Sequence, residues 1–367
     1  MNVKRVTLYH VVMRLRSPFV TSLETVQDRD VIIVEVEDAD GVIGWGECVA
    51  FSTPWYTEET IKTCWHMLED FLIPSILSAT IEHPDQVSTL FEHVKRNHMA
   101  KASMEMAIWD LYAKRQRISL SKALGGVRTK IEVGVVVGTE KMSDCLKMIE
   151  AYMEQGYKRV KVKIKPENDY EWLKEIRRHF PEIPLMADAN SAYSLKDVER
   201  LKALDEFQLM MIEQPLASDD LIEHAFLQKQ IKTPICLDES IATYHDAKVA
   251  LELGSCQVIN IKIGRVGGLT AAKRIHDLCQ KYHVAVWCGG MLETGISRAH
   301  NIALASLPHF TIPGDISASS RYWEKDIIIP EIIVNNGEVD VPDRFGIGID
   351  VDRNTLAKKA VYRQIFE

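Results

Sequence analysis

The chain has 367 residues, 46% hydrophobic and 26% charged, a composition typical of a globular protein with one large domain or two ordinary ones. The formal net charge of −8 argues against nucleic acid as the main partner, because binding to phosphates requires a basic surface. Arg and Lys interrupt the apolar residues at the N-terminus, so no apolar core of a signal peptide is recognisable there. No apolar run approaches the roughly 18 residues of a membrane span.

The first part of the chain has the pattern of strands followed by helices. Apolar residues alternate over residues 5–15 and 30–50, which predicts a strand and then a hairpin. Helical periodicity follows, from about residue 57 to residue 113. Strands that precede a run of helices indicate an α+β unit, to which we assign residues 1–125.

From residue 126 the pattern changes to short apolar strands that alternate with helical stretches. The predicted strands lie in the segments 132–138, 159–164, 184–190, 209–215, 234–240, 258–264 and 284–290. Repeated βα units imply a parallel sheet with right-handed crossovers, and an eighth strand near 310–316 favours a closed barrel. We therefore predict an α/β fold, a modified (β/α)7β TIM-type barrel over residues 126–318. Residues 319–367 lose the alternation and are predicted to pack on the N-terminal unit, forming one α+β capping domain with it.

Charged residues end five consecutive strands of this predicted barrel at a nearly constant spacing. They are separated by 25, 25, 25 and 24 residues, about one βα unit each: Lys163, Asp188, Glu213, Asp238 and Lys262. Each therefore holds the same position in successive units, at the C-terminal rim where side chains from several strands converge. Taken singly, these residues have ordinary alternatives such as helix caps, turn residues or rim ion pairs. The joint spacing favours a catalytic pocket.

The three carboxylates in this row predict a metal site. Asp188, Glu213 and Asp238 cannot all stay ionised side by side in a pocket without a cation. Three oxygen ligands, with no His or Cys among them, suit a hard ion, Mg²⁺ or alternatively Mn²⁺. The remaining coordination positions are free for water and for the oxygens of a small-molecule carboxylate substrate.

Lysines alternate with apolar residues in the strand at 159–164, for which an exposed sheet face is the ordinary interpretation. The rim position of Lys163 favours a different interpretation of this strand. In it, Lys161 and Lys163 point into the barrel and Lys165 leaves it at the rim. A nearby cation, the charge of Lys161 and burial would all favour the neutral amine of Lys163, and so a general base. Lys262 approaches the substrate from the opposite side. These features predict abstraction of a proton α to a metal-bound carboxylate.

The same residues resemble the enolase superfamily, and within it the muconate-lactonizing subgroup, with its Lys-x-Lys strand, three acidic ligands and facing lysine. The matching motifs run in order along the chain: KVK at 161–163, DAN at 188–190, EQP at 213–215, LDES at 237–240 and NIKIGRVGG at 260–268. Residues 286–317 are similar to the family of o-succinylbenzoate synthases that also racemize N-acylamino acids. The resemblance implies that the two strand-end lysines are catalytic and that the three strand-end carboxylates hold the metal.

Supporting or substrate-binding roles are implied for residues around these five. They are Lys161, Asn190, Glu239, Arg265, Gly290, Met291 and Phe19. Phe19 belongs to the segment 16–25, which resembles one capping loop of the family, and Trp55-Tyr56 belong to the second, at 50–60. We expect these aromatic residues to form apolar walls, with ordinary surface loops as the alternative.

The implied activity is syn-dehydration to o-succinylbenzoate in menaquinone biosynthesis, with racemization of N-succinyl or other N-acylamino acids as a second activity. Dipeptide epimerase is one alternative, disfavoured because GGMLETG at 289–295 stands near where its DxD motif is expected. Muconate cycloisomerase is another. A catalytically silent barrel would have lost a lysine or a ligand, and all five are present.

The seven scattered cysteines are typical of reduced, buried thiols and not of disulfides or a zinc site. Together with the absence of a recognisable signal peptide, the cysteines predict a cytoplasmic protein. The net charge and the lack of a long apolar run predict that it associates with neither nucleic acid nor a membrane. We also expect a homo-oligomer.

Overall fold

The structure is a computed structural model, which describes residues 1–20, 25–139 and 141–367. Part of the predicted capping loop at 16–25 therefore lies outside the described residues. The cysteines all fall within the described ranges, and each is free and buried, as the sequence predicts.

The chain begins with a meander of antiparallel strands, which is followed by helices. The strands are β1 (Val3–Val20), β2 (Thr25–Asp38) and β3 (Ile43–Cys48). The helices are α1 (Ile61–Met67), α2 (Ile73–Leu77), α3 (Gln86–Leu90), α4 (His98–Arg115) and α5 (Leu120–Leu124), with a π-helical turn at Leu68–Leu72. Helix α4 lies directly on β3 because Gly46 has no side chain, and a Cβ there would meet the Ser103 carbonyl oxygen at 2.0 Å.

A parallel sheet forms the barrel that the alternating pattern predicts. After the short strand β4 (Lys130–Glu132), its strands are β5 (Val135–Val137), β6 (Val160–Lys163), β7 (Leu185–Asp188), β8 (Ile212–Glu213), β9 (Ile235–Leu237), β10 (Val258–Ile261) and β11 (Ala285–Cys288). Strands β5 to β11 pair with one another in chain order. The helices between and after them are α6 (Met142–Glu154), α7 (Asp169–His179), α8 (Val198–Ala203), α9 (Ile222–Gln228), α10 (Tyr244–Leu253), α11 (Ile263–Val266), α12 (Leu269–Tyr282) and α13 (Gly295–Ala305). Two 3₁₀ turns, Leu195–Asp197 and Leu204–Phe207, flank α8.

The predicted eighth strand closes the barrel without being a regular strand. Parallel bridges join Val286 to Phe310 on one edge of the sheet and Val133 to Gly314 on the other. The segment between Phe310 and Gly314 therefore spans both edges. Its Pro313 lacks a backbone N–H, which interrupts any regular ladder there.

The C-terminal segment returns to the first sheet. Its elements are α14 (Ser319–Tyr322), β12 (Ile328–Ile329), β13 (Glu338–Asp340), β14 (Asp350–Val351), α15 (Arg353–Lys359) and β15 (Ala360–Phe366). Strand β15 pairs antiparallel with β1, so the sheet order is β15-β1-β2-β3. Both ends of the chain thus contribute to the cap, while the domain limits given above remain predictions. None of the described helices is long and apolar enough to cross a membrane.

Candidate active site

The register of the parallel sheet brings the strand-end residues side by side at one rim. Lys163 is opposite Asp188 in the pairing of β6 with β7, and Asp188 is opposite Glu213 in the pairing of β7 with β8. Asp238 and Lys262 come immediately after β9 and β10. The constant spacing in the sequence therefore corresponds to neighbouring positions around the barrel.

A pocket lies between this rim and the cap. The strand-end residues that line it are Lys163, Asp188, Asp238 and Lys262, and five predicted supporting residues, Lys161, Asn190, Gly290, Met291 and Phe19, line it as well. Its aromatic walls are Phe19, Phe51, Trp55, Tyr56 and Tyr322. The remaining predicted residues lie behind this lining: Glu213 and Arg265 are buried, and Glu239 borders an adjoining cavity. Lys165 is exposed, in agreement with the prediction that it leaves the barrel at the rim.

Asp188 is held as a charged group by two lysines. Its Oδ2 accepts a hydrogen bond from Lys163 Nζ at 2.6 Å and lies 3.4 Å from Lys161 Nζ. Burial favours the neutral acid, but the Lys163 and Lys161 ammonium groups outweigh it and lower the pKa of Asp188 to about 2. Lys163 also donates to Asn190 Oδ1 at 2.6 Å, and its side chain is 28% exposed, so it is accessible from the pocket.

Glu213 lies below the pocket, between an amide and an ammonium group. Its Oε1 accepts from Asn260 Nδ2 at 2.8 Å, and its Oε2 accepts from Lys161 Nζ at 3.0 Å. Burial opposes the charge on Lys161, yet the carboxylates of Asp315 and Glu213 outweigh burial and raise the pKa of Lys161. Lys161 is therefore a fixed positive charge beneath the substrate pocket.

Asp238 is surrounded by three donors. Lys262 Nζ donates to its Oδ2 at 2.8 Å, the Tyr56 hydroxyl donates to its Oδ1 at 3.1 Å, and Arg265 Nη1 also donates to Oδ1. Arg265 is anchored from behind, because its Nε donates to the Ile241 carbonyl at 2.7 Å. Burial opposes the charge on Lys262, but Tyr56 and nearby carboxylates outweigh it and raise the pKa of Lys262. Arg265 thus supports Asp238 from below.

Glu239 connects the rim to the adjoining cavity. Its Oε1 accepts from Asn190 Nδ2 at 3.2 Å, whereas its buried Oε2 has no hydrogen-bond partner among the described residues. Burial and the charge of Asp188 raise the pKa of Glu239. Through Asn190, Glu239 fixes the amide that faces Lys163.

Aromatic rings of the cap form the outer wall of the pocket. Phe51 and Trp55 have ring centroids 4.7 Å apart, and Trp55 and Tyr56 have centroids 5.7 Å apart in an edge arrangement. Arg29 supports this wall, because its buried guanidinium lies 4.1 Å from the Phe51 centroid and donates to the Ala50 carbonyl at 2.6 Å. The wall is therefore ordered by contacts within the cap.

The donor set at the rim fits a hard divalent cation in its chemistry. Asp188, Glu213 and Asp238 offer oxygen donors on adjacent strand ends, and oxygen ligands are those that Mg²⁺ prefers. Within residues 1–20, 25–139 and 141–367, however, no three His, Cys, Asp or Glu side chains converge as a metal site. Each of the three carboxylates instead pairs with at least one lysine ammonium group, which balances its charge.

Two polar residues of the site, Asn260 and Asp315, were not predicted from the sequence, and neither were the hydroxyl contacts of Tyr56. Asn260, which donates to Glu213, is two positions before Lys262 and shares its strand face, so alternation would have identified it. Asp315 ends the predicted eighth strand, and the strand-end rule applied to that segment would have found it. The hydroxyl contacts of Tyr56 depend on packing between the cap and the barrel, for which the sequence has no signal.

An α+β cap over a curled parallel barrel, with lysines and carboxylates on successive strand ends, defines the class of enolase-type barrel enzymes. Residues 3–125 match the family model "Mandelate racemase / muconate lactonizing enzyme, N-terminal domain", and residues 144–355 match "Enolase C-terminal domain-like". The chain belongs to this mandelate racemase and muconate lactonizing enzyme family of the enolase superfamily.

Its relatives are similar over the full length. The chain is 59% identical to an o-succinylbenzoate synthase from Geobacillus stearothermophilus, over 100% of this chain and 98% of the relative. It is 43% identical to an N-succinylamino acid racemase from Thermus thermophilus, over 97% and 98% of the two chains. A crystal structure of an enolase superfamily member from Listeria innocua superposes with a TM-score of 0.97 at 41% identity, covering 100% of this chain and 99% of the other.

Proposed function

We propose that this protein is a metal-dependent o-succinylbenzoate synthase that also racemizes N-succinylamino acids. The observation that carries the proposal is the placement of Lys163 and Lys262 in one pocket, on strand ends with three carboxylates between them. Proton abstraction α to a carboxylate requires such a base and a means of stabilising the negative charge that develops. The full-length similarity to relatives of both names supports this pair of activities.

Asp188, Glu213 and Asp238 would hold Mg²⁺, with Mn²⁺ as an alternative. When bound, such an ion supplies Lewis-acid stabilisation of the charge that develops on the substrate carboxylate. Lys163 takes the α-proton and, in the dehydration, returns it to the departing hydroxyl on the same face. Lys262 holds positive charge near the reacting carbon during dehydration, and in racemization it exchanges a proton on the opposite face.

The cap supports this chemistry by excluding water. Phe19, Phe51 and Trp55 present apolar surface to the pocket, and electrostatic interactions strengthen when water is displaced from such a site. Because these side chains come from the cap and not from the barrel, they are placed to contact the variable part of a substrate. We propose a cytoplasmic enzyme that acts on a small carboxylate, and a homo-oligomer remains our expectation.

Racemization is the second candidate for the principal activity, favoured by the 43% identity to the Thermus racemase. The deciding experiment measures kcat/KM side by side for the cyclohexadiene precursor of o-succinylbenzoate, for N-succinyl amino acids of both configurations and for a dipeptide. We expect turnover of the first two classes. A dipeptide that turns over much faster than both would refute the proposal in favour of a dipeptide epimerase.

A further inference from the structure

Asp315 lies where the barrel closes, and its position is fixed by the backbone on both sides. Its N–H donates to the Cys288 carbonyl at 2.9 Å, and the adjacent Gly314 carbonyl accepts from the Gly134 N–H at 2.8 Å. The absence of a side chain at Gly314 permits this approach, because a Cβ there would lie 2.7 Å from the Cys288 carbonyl oxygen. The Asp315 carboxylate is therefore anchored between the first and last strands of the parallel sheet.

Each oxygen of Asp315 contacts one cation. Oδ1 accepts from Arg159 Nη2 at 2.5 Å, and Oδ2 lies 2.8 Å from Lys161 Nζ. Arg159 is itself immobilised, since its Nε donates to the Pro313 carbonyl at 2.8 Å and its guanidinium lies 4.7 Å from the Trp287 ring centroid. Burial favours the neutral acid, but Lys161 and Arg159 outweigh it and hold the pKa of Asp315 well below its usual value. The carboxylate is thus a charged, rigid partner for Lys161.

Among the described residues, Lys161 has carboxylate partners of two kinds. Its Nζ lies 2.8 Å from Asp315, 3.0 Å from Glu213 and 3.4 Å from Asp188. Glu213 and Asp188 belong to the proposed metal ligands, whereas Asp315 does not. An ion that takes oxygens of Glu213 and Asp188 competes with Lys161 for them. A buried ammonium group without any partner is strongly destabilised, so the competition depends on what remains to pair with Lys161.

We propose that Asp315 is a positioning residue, which holds Lys161 toward the closing segment so that Glu213 and Asp188 can release the ammonium group and bind the metal ion. The inference rests on the metal site of the proposed function. With Asp315 present, Lys161 keeps a charged partner at 2.8 Å when the other two are withdrawn. Without the Asp315 charge, Lys161 has Glu213 and Asp188 as its acidic partners and competes more strongly with the ion.

The test is the affinity for Mg²⁺ alone, measured by isothermal titration calorimetry on the full chain. Asp315→Asn removes the charge and keeps the size of the side chain. The matched control is Asp169→Asn, because Asp169 is also fully buried and pairs with an arginine, Arg200, at 2.7 Å, but lies on the outer helix α7. We expect Asp315→Asn to bind Mg²⁺ roughly tenfold more weakly, the size of one charged hydrogen bond, and the control to bind like the wild type. Equal affinity of Asp315→Asn and the wild type overturns the inference.

Repeating the substitution in a chain that lacks Lys161 shows whether the loss of Mg²⁺ affinity in Asp315→Asn depends on that lysine. In a Lys161→Met chain the competing ammonium group is absent, so adding Asp315→Asn should change the Mg²⁺ affinity by less than about twofold. A tenfold loss in that background means a general structural effect and overturns the positioning role. Lys161→Met alone should bind Mg²⁺ at least as tightly as the wild type, and this holds as a test even if Asp315→Asn does not fold. Weaker binding by Lys161→Met contradicts the competition. A wild type that binds no Mg²⁺ refutes the proposed function as well, whereas the outcomes above refute the inference alone.

Discussion

The Tyr56 hydroxyl of the cap lies 3.1 Å from the Lys262 ammonium group of the barrel, and the Tyr56 ring centroid lies 4.5 Å from the same nitrogen. One cap residue thus contacts a proposed catalytic lysine through both its ring and its hydroxyl. The same hydroxyl reaches Asp238 and Arg265, each at 3.1 Å. The cap therefore orients Lys262 in addition to covering the pocket.

Tyr56→Phe should separate the two activities. The substitution keeps the ring over Lys262 and removes the hydrogen bond, so racemization, which needs Lys262 as an acid or base, should lose about tenfold in kcat/KM. Dehydration, in which Lys262 contributes charge, should lose less. Tyr170→Phe on the outer helix α7 is the control for loss of a tyrosine hydroxyl. Equal losses in both activities would argue against a specific role in orienting Lys262.

Replacing Lys163 and replacing Lys262 should affect dehydration and racemization differently. Lys163→Ala should stop dehydration, because the proposed mechanism has no other group on that face to take the proton and return it. Lys262→Arg keeps a positive charge but removes a usable base, since guanidinium does not deprotonate. It should retain some dehydration and lose racemization. Steady-state rates for both substrates measure this pattern.

Exchange of the α-proton in deuterated solvent tests the facing arrangement directly. Lys163→Ala and Lys262→Arg each keep one of the two lysines. Each variant should exchange the α-proton of the enantiomer whose proton faces the remaining lysine, and should leave the other enantiomer unchanged. Lys165→Ala, which replaces an exposed lysine two residues after the end of β6, is the control. Equal exchange of both enantiomers by Lys163→Ala or Lys262→Arg would show that the assignment of one lysine to each face is wrong.

The sequence was sufficient for residues whose positions depend on local geometry. Strand alternation placed Lys161 and Lys163 on one face, and the length of a βα unit placed Asp188, Glu213 and Asp238 on one rim. Both features repeat along the chain, so they can be recognised without knowledge of distant contacts.

Roles that arise from closure of the barrel or from contact between domains were not predicted. Asp315 ends a segment that forms only isolated bridges, and its contacts with Arg159 and Lys161 arise when that segment closes the barrel. The Tyr56 hydroxyl meets Lys262 across an interface between residues 206 positions apart. Arg265 was predicted as a supporting residue, but only the structure shows that its side chain lies behind Asp238, because GRVGG at 264–268 has no signal for side-chain direction.

Metal removal should abolish activity, and Mg²⁺ or Mn²⁺ should restore it. Asp238→Asn should weaken metal binding about tenfold or more, because a neutral amide loses charge that helps to hold a cation. Asp246→Asn, at the start of the neighbouring helix α10, is a control of the same chemistry. Calorimetry and activity after chelation measure the effect. Full activity in a metal-free preparation would disprove the metal dependence.

Glu105 on helix α4 should make stability depend on pH. Its carboxylate is buried against the start of α12, where Oε1 accepts from the Thr270 N–H at 3.0 Å. Burial raises the pKa of Glu105 from 4.5 to about 7. Between pH 4.5 and pH 7 the folded state binds more protons than the unfolded state. The stability that protonated Glu105 contributes is therefore complete below pH 4.5 and is lost as the pH rises through 7. It amounts to about 3 kcal/mol.

Urea denaturation of the wild type and of Glu105→Gln, at a series of pH values, measures this contribution. Glutamine does not titrate, so the wild type should become less stable relative to the variant as the pH rises from about 4 to about 8, by about 3 kcal/mol in all. Glu150→Gln, on the exposed face of α6, is the control for removal of one charge. A difference between wild type and Glu105→Gln that does not vary with pH would contradict the burial effect.

The pairing of Val6 with Phe366 joins strands that are far apart in the sequence, so the sheet of the cap cannot form completely until β15 has been translated. Phe366 is translated 360 residues after Val6, so the edge of β1 that receives β15 stays open while the whole barrel is made. An open strand edge readily pairs with other chains, which makes the nascent protein prone to aggregation until β15 has been translated. Premature termination would therefore release chains that carry every rim residue and yet expose this edge.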